Sequence, residues 1–96
     1  MKNIFDIKSI LCNYKQELIK KYGLEFIAIF GSYSRGEQNS NSDIDILVDF
    51  NKPIGIEFID LANELETILE HKVDLVSKNG VNKKYLKVIE QELIYV

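Results

Sequence analysis

Three acids at a restricted spacing are the residues of this chain best suited to chemistry: Asp43 and Asp45 flanking Ile44, and Asp74 inside the run Val73-Asp74-Leu75-Val76. Residues i and i+2 of a strand project from one face with their Cα atoms about 6 to 7 Å apart, so Asp43 and Asp45 point into one space if they lie on a strand. Carboxylates placed that way repel one another unless a cation stands between them. Mg2+ is the natural candidate, since it prefers hard oxygen ligands and is commonly held by one or two carboxylates together with substrate phosphates. A charge among Val and Leu on a buried strand is costly when unpaired, and a shared metal site would account for Asp74. Two ions in such a cluster would stabilise the attacking and leaving oxygens of an in-line displacement at phosphorus. Asp74, near the ion that activates the acceptor hydroxyl, could also receive its proton.

Upstream, Gly31 and Ser32 stand where an apolar run gives way to a polar segment. Backbone N–H groups and the Ser32 hydroxyl can face an anion there, and a glycine lets a phosphate approach the main chain closely. Arg35 follows one turn later. Its guanidinium could steady a departing pyrophosphate or brace the loop against Glu37 or an aspartate. An Asp-x-Asp alone is more often a solvated strand face; joined to Gly-Ser before it and an acid on the next strand, it points to a metal-dependent site for phosphorus chemistry.

Other polar and aromatic residues read more plainly. Asp49 is expected on the surface at a turn, and His71, between Glu70 and Lys72 at a helix end, is expected to be solvated. Tyr14, Tyr22 and Tyr85 fall on apolar stripes and are expected in the core, whereas Tyr33 is expected to be an exposed turn residue. The single cysteine, Cys12, has no intrachain disulfide partner and is expected to act as a small buried apolar residue.

The elements that must position the acids follow from periodicity. Ile4, Ile7, Leu11, Tyr14, Leu18 and Tyr22 recur at intervals of three and four and predict a first helix ended by Gly23. Leu24 to Phe30 suits a buried strand. Ser32 to Ser42 reads as a loop, with a turn or two of helix at its start. Asp43 to Phe50 alternates Ile44, Ile46 and Val48 against Asp43, Asp45 and Leu47, a second strand. Asn51 is expected to cap a helix with Pro53 near its first turn, a buried stripe of Phe58, Leu61, Leu65 and Ile68, and an end near His71. Lys72 to Val76 predicts a third strand, Ser77 to Gly80 a turn, and Tyr85, Leu86, Val88 and Ile89 a last helix, with Leu93 to Val96 extended. The expected class is α/β or α+β, a small mixed sheet flanked by helices.

The 96 residues, 46% hydrophobic, suffice for one modest core, so residues 1–96 are expected to form a single domain with little room for a separate substrate-recognition module. Twelve basic against fifteen acidic residues give a net charge of -3, without a Lys/Arg run dense enough to follow a phosphate backbone, which disfavours long nucleic acid as substrate. Met1 to Leu11 lacks the uninterrupted apolar stretch of a signal peptide, and no apolar run reaches membrane-spanning length, so a soluble, cytoplasmic protein without membrane association is expected.

Gly31-Ser32-Tyr33-Ser34-Arg35-Gly36, followed by Ser42-Asp43-Ile44-Asp45-Ile46-Leu47-Val48, resembles the signature of the minimal nucleotidyltransferase family within the polymerase-beta-like superfamily. The similarity covers most of the chain and takes in Val73-Asp74-Leu75-Val76, which resembles the strand bearing the family's third metal-binding carboxylate. Ser34 replaces the alanine usual before the arginine, one small residue for another. The resemblance implies the polymerase-beta-like fold and a two-metal, Mg2+-dependent transfer of a nucleotide, commonly adenylate from ATP. In that reading Asp43, Asp45 and Asp74 are the catalytic and metal residues, and Gly31 and Ser32 lie at the triphosphate. It further implies a HEPN-type ribonuclease toxin as partner in a hetero-oligomer, neutralised by binding or by adenylylation of a tyrosine. Two other functions stay open at this point: a catalytically silent module that inhibits its partner sterically, and a nucleotidyltransferase acting on a small molecule. The second is disfavoured by the lack of a second domain to form the pocket.

Overall fold

Asn3 opens the first helix with a capping box: its side chain accepts from the Asp6 N–H at 3.0 Å, and Asp6 Oδ2 accepts from the Asn3 N–H at 3.2 Å. Gly23 closes it in the left-handed conformation, φ +67°, donating to the Ile19 carbonyl. Between these signals Ile7, Leu11, Leu18 and Tyr22 face inward. The computed structural model describes residues 2–96; Met1, where the N-terminal stretch read above begins, lies outside them.

The order of elements is α1 (Ile4–Tyr22), β1 (Leu24–Phe30), α2 (Gly31–Arg35), β2 (Ile44–Phe50), α3 (Glu57–Leu69), β3 (Val73–Ser77), a 3-10 turn (Lys78–Gly80), α4 (Lys83–Glu90) and β4 (Ile94–Tyr95). The strands form one mixed sheet in the order β3-β2-β1-β4. β1 runs antiparallel to β2 and to β4, whereas β2 and β3 are parallel. A parallel pair needs a crossover between its strands, and α3 supplies it.

Alternation along the strands divides the core in two. Ile27 and Ile29 of β1 and Ile44, Ile46 and Val48 of β2 pack with the buried stripes of α1 and of α3, the latter formed by Leu61, Leu65 and Leu69. The opposite sheet face carries a smaller cluster of Phe30, Leu47 and Ile89, to which Phe26, Val76, Leu86 and Leu93 add. The first face is closed by two long helices. The second is covered by the short α4 and the turn after it.

The expected α+β class and mixed sheet are observed, with strand ends within a residue of the expected ones. The helix expected to start at Asn51 begins at Glu57, and position 56 offers no side-chain cap. Lys52 precedes a proline, which disfavours helical backbone there, and the Asn51 N–H is taken by the Gly23 carbonyl at 2.8 Å. Cys12 is exposed because it sits one position past Leu11, off the buried stripe. Tyr14 and Tyr85 are exposed too, since α1 and α4 bury narrower faces than their periodicity suggested. Among the described residues no helix is long and apolar enough to cross a membrane.

This layering makes a quantitative distinction between α3 and α4. Leu61→Ala, in the closed layer, is expected to lower the stability measured by urea unfolding by about 2–5 kcal/mol. Val88→Ala, on the exposed side of α4, should stay within about 0.5 kcal/mol. Equal losses at the two positions would contradict the layer assignment.

Candidate active site

The acids gather at one corner of the sheet because register and alternation coincide there. In the parallel β2–β3 pair Asp45 stands opposite Asp74, and in the antiparallel β1–β2 pair it stands opposite Phe30. Asp43 directly precedes β2 at the same end and shares Asp45's parity, so all three acids belong to the face that α4 only partly covers. Asp45 is half-buried, while Asp43 and Asp74 are exposed. The expectation of a buried charge on β3 is therefore corrected: β3 is an edge strand, half-covered along its length, and Asp74 reaches solvent. Its position beside Asp45 is as the sequence suggested.

Gly31 is the next residue after β1 and lies directly against Asp45. Its φ of +74° lies in the left-handed region that disfavours other residues. A Cβ there would also collide with Asp45 Oδ2. Backbone conformation and side-chain space thus both demand glycine at position 31.

The carboxyl of Asp45 is raised from 3.8 to about 6. Burial is the largest cause; the Asp74 charge and a side-chain hydrogen bond with Asp74 follow, then the Asp43 charge, with Arg35 pulling the other way. Among the described residues no three acid, histidine or cysteine side chains already converge as a closed cation cage. An adjacent pair with a third acid at its rim nonetheless suits Mg2+, which is typically held by one or two carboxylates and completed by water and substrate phosphates.

The turn that follows Gly31 is tied down at several points. Tyr33, expected to be exposed, is fully buried, because the one-turn helix α2 directs it inward among the apolar residues of the α1/α3 layer. Its hydroxyl lies 3.3 Å from His71 Nε2. His71 Nδ1 lies 3.0 Å from the Lys72 carbonyl, which can only accept, so the neutral ring offers Nε2 as acceptor to the tyrosine. Burial, and secondarily the Asp43 charge, raises the Tyr33 phenol. His71 is thus an anchor for α2 as well as a helix-end residue. Asp49, on β2, accepts from the Phe50 N–H at 3.0 Å and takes no part in the acid cluster.

Arg35 is held by two carboxylates. Its Nε donates to Glu37 Oε1 at 2.6 Å and its Nη1 to Glu92 Oε2 at 2.7 Å. These bonds, that to Glu37 first, raise the guanidinium above its ordinary value. Of the two roles open to Arg35, the loop brace against Glu37 is thus observed, and its charge still reaches Asp45. Glu92 also accepts from the Gly31 N–H at 3.1 Å. Neither Glu92 nor the Tyr33–His71 contact was found from sequence, since no local spacing relates residue 92 to 31 or residue 71 to 33. Ser32 stands half-buried on the turn, its carbonyl accepting from the Glu37 N–H at 2.8 Å.

The nucleotidyltransferase domain family matches residues 11–96. A Methanocaldococcus jannaschii protein provisionally named a protein adenylyltransferase is 50% identical over 98 residues, spanning 100% of both chains. The protein adenylyltransferase MntA of Thermococcus cleftensis is 42% identical over 97 residues, spanning 100% of this chain and 98% of its own. Among solved structures, a toxin–antitoxin complex with AMP-PNP aligns with TM-score 0.73 and 31% identity over 86% of this chain and 69% of its own. A complex of a tri-AMPylated Shewanella oneidensis HEPN toxin with its MNT antitoxin aligns with TM-score 0.69 and 25% identity over 93% of this chain and 70% of its own.

Two consequences are measurable without any ligand. Below about pH 4 Asp45 is protonated both in the fold and in the unfolded chain; between about 4 and 6 the unfolded chain gives up a proton that the fold retains, and above about 6 the fold carries the full cost of the charge, burial first and its acidic neighbours second. In chelator, wild type should therefore lose stability relative to Asp45→Asn as pH rises from about 4 to 6, the gap then levelling off. Urea unfolding of both proteins across that range measures it, and a pH-independent difference would contradict the coupling. Secondly, Gly31→Ala should destabilise more than Gly36→Ala in thermal unfolding. Both positions have positive φ, which costs roughly 1–2 kcal/mol for alanine, but only at position 31 does the new methyl meet a neighbour.

Proposed function

The chain belongs to the nucleotidyltransferase domain family and is a minimal nucleotidyltransferase, and from that premise we propose that it transfers AMP from ATP, with Mg2+, to a hydroxyl group of a HEPN-type toxin. In this reading it is the antitoxin of the pair. The observation that carries the proposal is the juxtaposition of Asp45, which lies directly against Gly31, with Asp74, and Asp43 at the rim. The names of the relatives supply the adenylyl group and the protein acceptor, and the neighbouring complexes supply the partner class.

Each residue has a task in the proposed reaction. Asp43, Asp45 and Asp74 would hold Mg2+, and Gly31 and Ser32 would lie along the triphosphate. When bound, the two ions would stabilise the charge growing on the attacking and leaving oxygens. The acceptor oxygen bonds to the α-phosphorus, the bond from that phosphorus to the bridging oxygen breaks, and pyrophosphate leaves with the electron pair. Asp74, the solvent-reaching member of the pair, takes the acceptor's proton. Gly31 contributes by absence: with no side chain, it leaves Asp45 Oδ2 free to face the nucleotide. Arg35 adds a fixed positive charge beside the site in addition to its bracing role.

The proposal predicts label transfer from α-labelled ATP to a HEPN-type toxin partner in the presence of Mg2+. Asp43→Asn combined with Asp45→Asn should reduce transfer at least about a hundredfold, as expected when an essential electrostatic contribution is removed. Wild type that silences its partner without transferring label, and does so equally well when both aspartates are replaced, would identify a steric inhibitor instead.

A further inference from the structure

We infer that Glu92 is a positioning residue for nucleotide binding, acting through Gly31 and Arg35 at the two ends of α2; the inference rests on the nucleotide-transfer reading of the site. Glu92 lies in the turn between α4 and β4, with its N–H donating to the Ile89 carbonyl at 3.0 Å. Ile89 itself is buried with Phe30 and Leu47 against the sheet. The β4–β1 register places Ile94 opposite Ile29, so the turn before β4 runs alongside the end of β1. The side chain of Glu92 is 19% exposed, and both of its oxygens are used: Oε1 accepts from the Gly31 N–H at 3.1 Å and Oε2 from Arg35 Nη1 at 2.7 Å.

One carboxylate thereby grips the first and last residues of α2, the segment that carries Ser32 past the acid pair. The grip has functional meaning because Gly31 has no slack on its other side, where Asp45 Oδ2 occupies the space of a Cβ. A small displacement of Gly31 changes both the room available to a phosphate and the position of Asp45. Glu37 cannot replace this contact. It holds only the Arg35 end and is largely solvated, with 65% of its side chain exposed. A charge-assisted hydrogen bond to a half-buried backbone group is stronger and better fixed than such a surface pair.

The test compares wild type, Glu92→Gln and Glu92→Ala by calorimetric titration with Mg2+ and α,β-methylene ATP, whose α–β bridge resists cleavage, alongside thermal unfolding. Glutamine keeps an acceptor for the Gly31 N–H, but its amide nitrogen cannot accept from Arg35. Its Kd should rise severalfold, and that of the alanine variant by roughly tenfold or more. In an Arg35→Met background Glu92→Gln should add little, because the two changes remove one shared contact. If Glu92→Ala does not fold, Glu92→Gln decides the matter. Glutamine and alanine variants that unfold at lower temperature yet bind the nucleotide like wild type would reduce Glu92 to a structural latch and overturn the inference. Wild type that binds no nucleotide would overturn the underlying reading and this inference together, an outcome distinct from the first.

Discussion

The site depends on one electrostatic constraint: Asp45 is partly removed from water and set against the charge of Asp74 and then Asp43, and burial first, with that repulsion after it, raises its carboxyl to about 6. Repulsion of this kind works against folding, and the chain sustains it because the opposite sheet face is well packed. Ile44, Ile46 and Val48 alternate with the acid-bearing positions of β2 and sit fully buried against α1 and α3. The same two-residue period that creates the charge cluster thus creates the apolar layer that offsets it. In the proposed function a hard divalent cation and a triphosphate would offset that cluster of negative oxygens.

Around this cluster the remaining elements act as supports. Tyr33 and His71 anchor the middle of α2 from beneath, while Glu92 holds its ends from above. The two supports come from opposite sides of the sheet, one from the α3–β3 turn and the other from the α4–β4 turn. A short helix of five residues has almost no cohesion of its own. Its position is therefore set by side chains distant in sequence, and the segment has a defined place despite its polar composition.

What the sequence disclosed follows the range of the interactions involved. The strands, the glycine stops and the parity of Asp43 and Asp45 are local matters of period and backbone preference, and they were legible. Asp74 does stand beside Asp45, but the buried strand that argued for it is a half-covered edge on which Asp74 reaches solvent. The burial of Tyr33 was not legible: a tyrosine between serines in a polar loop has no apolar period, and its environment is built by α1 and α3 from elsewhere in the chain. Glu92 was missed for the same reason, since it meets Gly31 only after β4 has paired with β1. Asn51 misled in the other direction. It is a good capping residue beside a proline, yet tertiary pairing with Gly23 claimed its backbone first.

The parallel alignment of β2 with β3 bears on how the molecule comes to be active. Hairpin-like neighbours such as β1 and β2 can associate early, but a parallel partner must wait until the intervening helix has closed a long loop. Asp45 and Asp74 meet only across that late-forming border. A partly assembled chain therefore lacks the Asp45–Asp74 juxtaposition, and any ligand that touches both border strands would favour the finished sheet by mass action.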